Sequence, residues 1–164
     1  MRIMGVDPGY AIVGIGLLDY DNVRFSLVEY GAITTPAELP FETRLRQIYD
    51  DMTELLTRYR PDAVAMEQLF FTTNRTTAIA VAEARGVLLL AAEQQGIPVF
   101  SYTPLQVKSA VVGYGKAEKE QVMEMTRRLL CLREVPKPDD TADALAIAIC
   151  HCHASGTALR QFLR

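Results

Sequence analysis

"MRIMGVDPGYAIVGIGLLDYDN" (residues 1–22) reads as two buried strands, 2–7 and 11–19, carried by Ile3, Met4, Val6, Ile12, Val13, Ile15, Leu17 and Leu18. The turn "DPGY" joins them and the turn "DYDN" follows. Asp7 stands at the end of the first strand, where its neighbours call for an apolar interior. A carboxylate there is costly unless a partner, hydrogen bonds or a metal offset its charge. Asp-Pro-Gly is also a good turn former, so an Asx hydrogen bond inside the turn is the plainer alternative.

Working outward, "VRFSLVEYGAITT" alternates Val23, Phe25, Leu27 and Ile33 loosely, as an outer antiparallel strand does. The period then changes. Leu45, Ile48, Met52, Leu55, Leu56 and Tyr59 recur at three- and four-residue steps and predict an amphipathic helix. "PDAVAMEQ" is a short buried strand ending on Glu67, and a helix follows from about 75 to 95, stopped by Gly96 and Pro98. "PVFSYTP" is a fifth strand. The remainder is helical, broken at "GYG" and "EVPKPDD", with a last helix on "TADALAIAICHCH". The expected order is β-β-β-α-β-α-β-α-α, a mixed α/β sheet with helices on both faces.

The 164 residues suit one domain spanning 1–164. No apolar run approaches the ~20 residues of a membrane span. No charged-then-apolar leader is visible, and three cysteines make no disulfide framework, so a reducing cytoplasm is expected. The net charge of −3 argues weakly against a polyanionic partner, but it is unevenly spread: −4 over residues 1–82 and +1 over 83–164.

Carboxylates stand where structural residues are expected at three places: Asp7, Glu67, and the pair Asp140 and Asp143, three apart on one helix face. Singly, each has a plain explanation. Asp7 can serve its turn, Glu67 can be a solvated strand end, and Asp140 can be a helix N-cap. Jointly they form a set of hard oxygen ligands suited to Mg²⁺ or Mn²⁺ rather than Zn²⁺. Without a cation they would repel strongly. Such sets serve two-metal phosphodiester hydrolysis.

The chain resembles the RuvC-type Holliday junction resolvases. The stretches that carry the resemblance are "MGVDPG", "GYAIVGIG", "MEQLFF", "AEARGVLLLAA", "PLQVKSAVVGYGKAEKEQV" and "DDTADALAIAICHCH", in order over essentially the whole chain. The resemblance implies an RNase H-like fold: a five-stranded sheet with β1-β2-β3 antiparallel, and β4 and β5 parallel to β1. It also implies a homodimer on a four-way DNA junction and symmetric, Mg²⁺-dependent nicks, with two metals per subunit and Mn²⁺ able to substitute. It assigns catalysis and metal binding to Asp7, Glu67, Asp140 and Asp143, and leaves Asp139 as a cap or outer group. Phe70, in the E-Q-x-F motif, is assigned a role at the junction point. Lys108 and Lys119 are assigned to DNA, with Lys116 and Arg75 as auxiliaries. A branch-migration complex of RuvA and RuvB type is a partner by resemblance alone.

Phe71 is expected in the core. "CHCH" (150–153) invites a zinc reading, but four consecutive helical residues point about 100° apart and cannot close a tetrahedron. The helix "AIAVAEARGVLLLAAEQQ" carries more apolar surface than one sheet face needs and is a candidate dimer interface, with Glu83 where relatives often have glutamine. Two alternatives stand beside the resolvase: an RNase H-like nuclease of ribosomal RNA maturation, and a junction-binding module that does not cut. An actin-like ATP-binding domain needs about twice this length.

Overall fold

The computed structural model describes the backbone of residues 1–69 and 75–162, and the side chains of 1–69 and 77–155. Five strands, β1 (Arg2–Asp7), β2 (Ile12–Tyr20), β3 (Phe25–Thr34), β4 (Ala63–Glu67) and β5 (Val99–Tyr102), form one sheet in the order β3-β2-β1-β4-β5. β1 pairs with β2, and β2 with β3, antiparallel; β4 pairs parallel to both β1 and β5. The expected mixed sheet is present. The helices are α1 (Phe41–Tyr59), α2 (Arg75–Gln94), α3 (Pro104–Val112), α4 (Lys119–Leu129) and α5 (Asp139–Phe162).

Two cores lie on opposite faces of the sheet. Period-2 alternation sends Met4, Val6, Val64 and Met66 to one face, where Ile48, Met52 and Leu56 of α1 and Leu88 of α2 cover them. Ile3, Ala63 and Ala65 go to the other, under Leu145, Ile147 and Ile149 of α5. Each of those three α5 side chains is essentially fully buried, worth about 2 kcal/mol apiece. α5 is apolar nearly all round because α3 and α4 cover its outer side, with Val107, Val111 and Val122 in the same cluster.

Glycines let α5 lie directly on the sheet. A Cβ on Gly5 would meet the Ala144 carbonyl oxygen at 1.9 Å, one on Gly14 the Asp140 carbonyl oxygen at 2.0 Å, and one on Gly16 the Leu145 side chain at 2.7 Å. Any other residue at these positions would lift the helix.

Three expectations need correction. The segment after β5 holds three helices rather than two, because Gly113 (φ 95°) ends α3 and a new capping box starts α4. α5 begins at Asp139, so Asp140 lies within its first turn and is not the N-cap. The loose alternation of the third strand has a cause: the register shifts between Leu17 and Leu18, leaving Val28 as the extra residue of a bulge. Phe25 and Leu27 therefore join the α5 face, while Ile33 joins the opposite one. Val23 is 80% exposed, outside the strand.

The glycine seat predicts opposite outcomes for two similar substitutions. Gly14→Ala should cost about 1–3 kcal/mol in urea denaturation, as overpacking does, and should impair the site beside it. Gly31→Ala, with open space at its Cβ, should leave the denaturation midpoint within roughly 0.5 kcal/mol of the parent.

Candidate active site

Alternation along β1 and β4 decides where the two strand-end carboxylates point. Asp7 follows Gly5 and Glu67 follows Ala65, so both face α5, each one step past the paired Val6 and Met66. Asp7 pairs across β2 with Gly14, the residue on which the Asp140 carbonyl rests. The seat that brings α5 onto the sheet thus delivers Asp140 and Asp143 to the same strand ends.

The electrostatics record this convergence. The Asp7 carboxyl is pushed up to about 8, first by burial and then by the charges of Glu67, Asp143 and Asp140. Glu67 is raised by burial and by Asp143. Asp143 is raised by burial even though Lys119 opposes the shift. Lys119 Nζ lies 2.9 Å from Asp143 Oδ2 and 3.9 Å from Asp139 Oδ2. Burial alone would lower its ammonium, but the hydrogen bond to Asp143 and the charges of Asp139 and Asp7 raise it. Among the described residues, no hydrogen bond from the turn reaches Asp7, and the Asx alternative receives no support.

Local sequence positions the lysine. Glu118 caps α4 in a box with Gln121, whose Oε1 accepts from the Glu118 amide at 2.8 Å and from Tyr114 Oη at 3.1 Å. Lys119 is therefore the first residue of α4 and faces the start of α5. A cleft of about 240 Å³ joins Glu67, Asp143, Lys119 and Lys108, floored by Val107 and Ala146. Lys116 is exposed and outside that lining. Asp139 accepts from Lys137 Nζ at 2.6 Å, which holds its carboxyl below the usual range, and it is absent from the charges acting on Asp7.

Phe70 and Phe71 lie outside the described residues, as does the side chain of Arg75, the first residue of α2. The two histidines of "CHCH" have structural partners. His151 is buried, its Nδ1 2.7 Å from Tyr102 Oη, and His153 Nδ1 lies 3.0 Å from the Ala110 carbonyl.

One residue escaped the sequence reading. Arg85 of α2 donates from Nε to the Glu67 carbonyl at 3.3 Å and from Nη2 to Ser101 Oγ at 2.8 Å, tying the ends of β4 and β5 to α2. Its signal was a cation inside the apolar run "AEARGVLLLAA".

Among the described residues no three of these side chains are grouped closely enough to hold a metal ion as they stand, and the donor types, carboxylate oxygens alone, are those a hard divalent cation takes. Among the described residues these side chains are carboxylates without thiol or imidazole, and the ammonium of Lys119 offsets part of their mutual repulsion. A raised acid stabilises the fold below its unfolded value and loses that contribution as the pH climbs. Metal-free protein should therefore lose stability between about pH 4 and pH 8 through Asp7. Asp7→Asn should remove the loss. At pH 8 in chelator, thermal melting should place the variant above the parent by on the order of 2 kcal/mol, roughly 4–8 °C. At pH 4 the two should coincide.

The family model described as crossover junction endodeoxyribonuclease RuvC matches residues 3–151. A crossover junction endodeoxyribonuclease RuvC of Brevibacillus brevis is 58% identical over 151 residues, 92% of this chain and 91% of that protein. The one from Thermotoga petrophila is 56% identical over 151 residues, covering 92% of each. Among solved structures, Thermus thermophilus RuvC in complex with a Holliday junction substrate superposes with a TM-score of 0.92 at 38% identity, covering 96% of both chains. With its strand order, its acidic strand ends and matches over nearly its full length, the chain belongs to the RuvC family of crossover junction endodeoxyribonucleases.

Proposed function

We propose that residues 1–164 form a single nuclease domain that resolves four-way DNA junctions in recombination and repair by paired, symmetric nicks. The observation that carries this reading is the convergence of Asp7, Glu67, Asp140 and Asp143 beside a lysine-lined cleft. The Thermus relative, whose complex contains a Holliday junction, supports the substrate.

Asp7, Glu67, Asp140 and Asp143 would hold Mg²⁺, two ions per subunit, with Mn²⁺ as a substitute. Bound there, the metal would prepare a water for attack and stabilise the leaving oxygen. The protein's own groups do the rest. Asp7 and Glu67 sit on rigid strand ends, so their oxygens are fixed before substrate arrives. Lys119 orients Asp143 and favours its ionised form against the burial that raises its carboxyl. Lys108 and Lys119 contact phosphates from the cleft, exposed Lys116 extends that track, and Arg75 is a further auxiliary. Phe70 stacks on an unpaired base at the crossover.

A homodimer would place two such sites on one junction. α2 is the proposed interface, since Ile79 is 58% and Leu90 51% exposed on it. A motor complex of RuvA and RuvB type is a further proposed partner, and the cytoplasm the proposed compartment. No helix among the described residues is long and apolar enough to cross a membrane.

Two variants and one substrate panel test the proposal. Asp7→Asn should abolish cleavage of a synthetic four-way junction in Mg²⁺ while gel-shift binding persists. Lys119→Ala should slow single-turnover cleavage about 10–100-fold, as loss of a ligand's outer partner does. Equal cutting of junction, linear duplex and hairpin RNA by the parent protein would refute the assignment in favour of a general or RNA-directed nuclease. Junction binding without any cleavage in Mg²⁺ or Mn²⁺ would reduce the chain to a binding module.

A further inference from the structure

The sheet face opposite α5 carries a second concavity, between edge strand β3 and α1. It measures about 420 Å³, within the usual range of ligand sites. Its floor is apolar: Met4, Ile15, Leu17, Ile33 and Leu55. Its rim is acidic, formed by Glu29, Asp51 and Glu54, and among the described residues no lysine or arginine lines it. Among the described residues none of these three carboxylates enters an ion pair.

The groove exists because of Gly31. That residue pairs with Ile15 across β2, so a side chain there would point to the α1 face, and a Cβ built on it meets nothing within 4 Å. The lining runs along β3 from Glu29 to Thr34 and along α1 from Gln47 to Tyr59. Each stretch is roughly 18–20 Å long, the length of about six extended residues rather than of a compact ligand. Nucleic acid is the wrong occupant, since its phosphates would face three unpaired carboxylates.

We propose that this groove docks an extended segment of a partner protein in which lysine or arginine alternates with large apolar side chains. The apolar residues fill the space left by Gly31 over Ile15 and Leu17. The cations meet Glu29, Asp51 and Glu54. The site is on the far side of the sheet from the carboxylate cluster, so occupancy leaves the cleft by Lys108 and Lys119 open.

The test uses the full chain and three fluorescein-labelled octapeptides read by anisotropy. In one, lysine alternates with leucine and phenylalanine; in the second, glutamate replaces lysine; in the third, lysine alternates with serine. The first should bind at least 10-fold more tightly than the others. Gly31→Phe should weaken that binding at least 10-fold while melting temperature and junction cleavage stay at parent values. The double variant Asp51→Lys, Glu54→Lys should reverse the preference toward the glutamate peptide. The proposal is overturned if none of the three peptides binds, if Gly31→Phe binds as the parent does, or if the lysine–serine peptide binds equally. A change of oligomeric state on Gly31→Phe in sedimentation would overturn it in favour of a second copy of this chain.

Discussion

The contact between the backbone of α5 and the glycines of β1 and β2 is the constraint on which the site depends. A helix usually rests on a sheet through interlocking side chains. Here Gly5 and Gly14 allow carbonyl oxygens of Ala144 and Asp140 to approach positions that a Cβ would occupy. Close approach matters at the helix start, because Asp140 lies over Gly14, and Gly14 is the β2 partner of Asp7. Ala63 and Ala65 on β4, and Ala144, Ala146 and Ala148 on α5, keep the rest of this interface thin. Larger residues on either side would tilt the helix and separate the carboxylates it carries from those on the strands.

Rigid convergence has an electrostatic consequence. Carboxylates on flexible loops would turn away from one another, but Asp7 and Glu67 are anchored by parallel strands and Asp140 and Asp143 by a buried helix. Burial first, and then repulsion that cannot relax by movement, raises proton affinity, and Asp7 shows the effect most strongly. Lys119 offsets the charge of Asp143 and reaches Asp139, while Asp139 is further neutralised by Lys137. The result separates two neighbouring aspartates by environment. Asp140 acts on Asp7 and Asp143, whereas Asp139 acts on Asp143 and Lys119 from the exposed rim and is held by Lys137.

Sequence periodicity made the strands, the long helices and the sheet's mixed character legible, since apolar spacing follows burial directly. The acidic positions were legible because they interrupt that spacing at element ends. What was hidden depended on neighbours distant in the chain. The bulge at Val28 arises from a register shift against β2, and no residue within β3 announces it. Gly5, Gly14 and Gly16 stood in plain view, yet only the helix laid over them explains why no side chain is permitted. Arg85 stands as a cation inside an apolar run, and only the fold shows that its guanidinium bonds a carbonyl 18 residues away. The split between α3 and α4 was signalled by "GYG", while the Glu118–Gln121 box that starts the second helix pairs residue types usually read as surface.

The net charge of −3 misleads because it averages two faces that never share a solvent field. Screening confines exposed charges to about 8–10 Å at moderate salt, so a partner senses the residues it touches. On the α5 side Lys108 and Lys119 line the cleft, and any cation bound by the carboxylates would cancel the nearest negative charge. On the α1 side Arg44 is withdrawn: it is buried, donates to Thr35 Oγ1 at 2.8 Å and stacks over the Tyr10 ring at 4.9 Å. Its charge is spent on joining α1 to the end of β3, which leaves Glu29, Asp51 and Glu54 to set the potential of that groove. The two faces of one sheet therefore differ in charge, with Lys108 and Lys119 in the cleft on the α5 side and carboxylates along the groove on the α1 side.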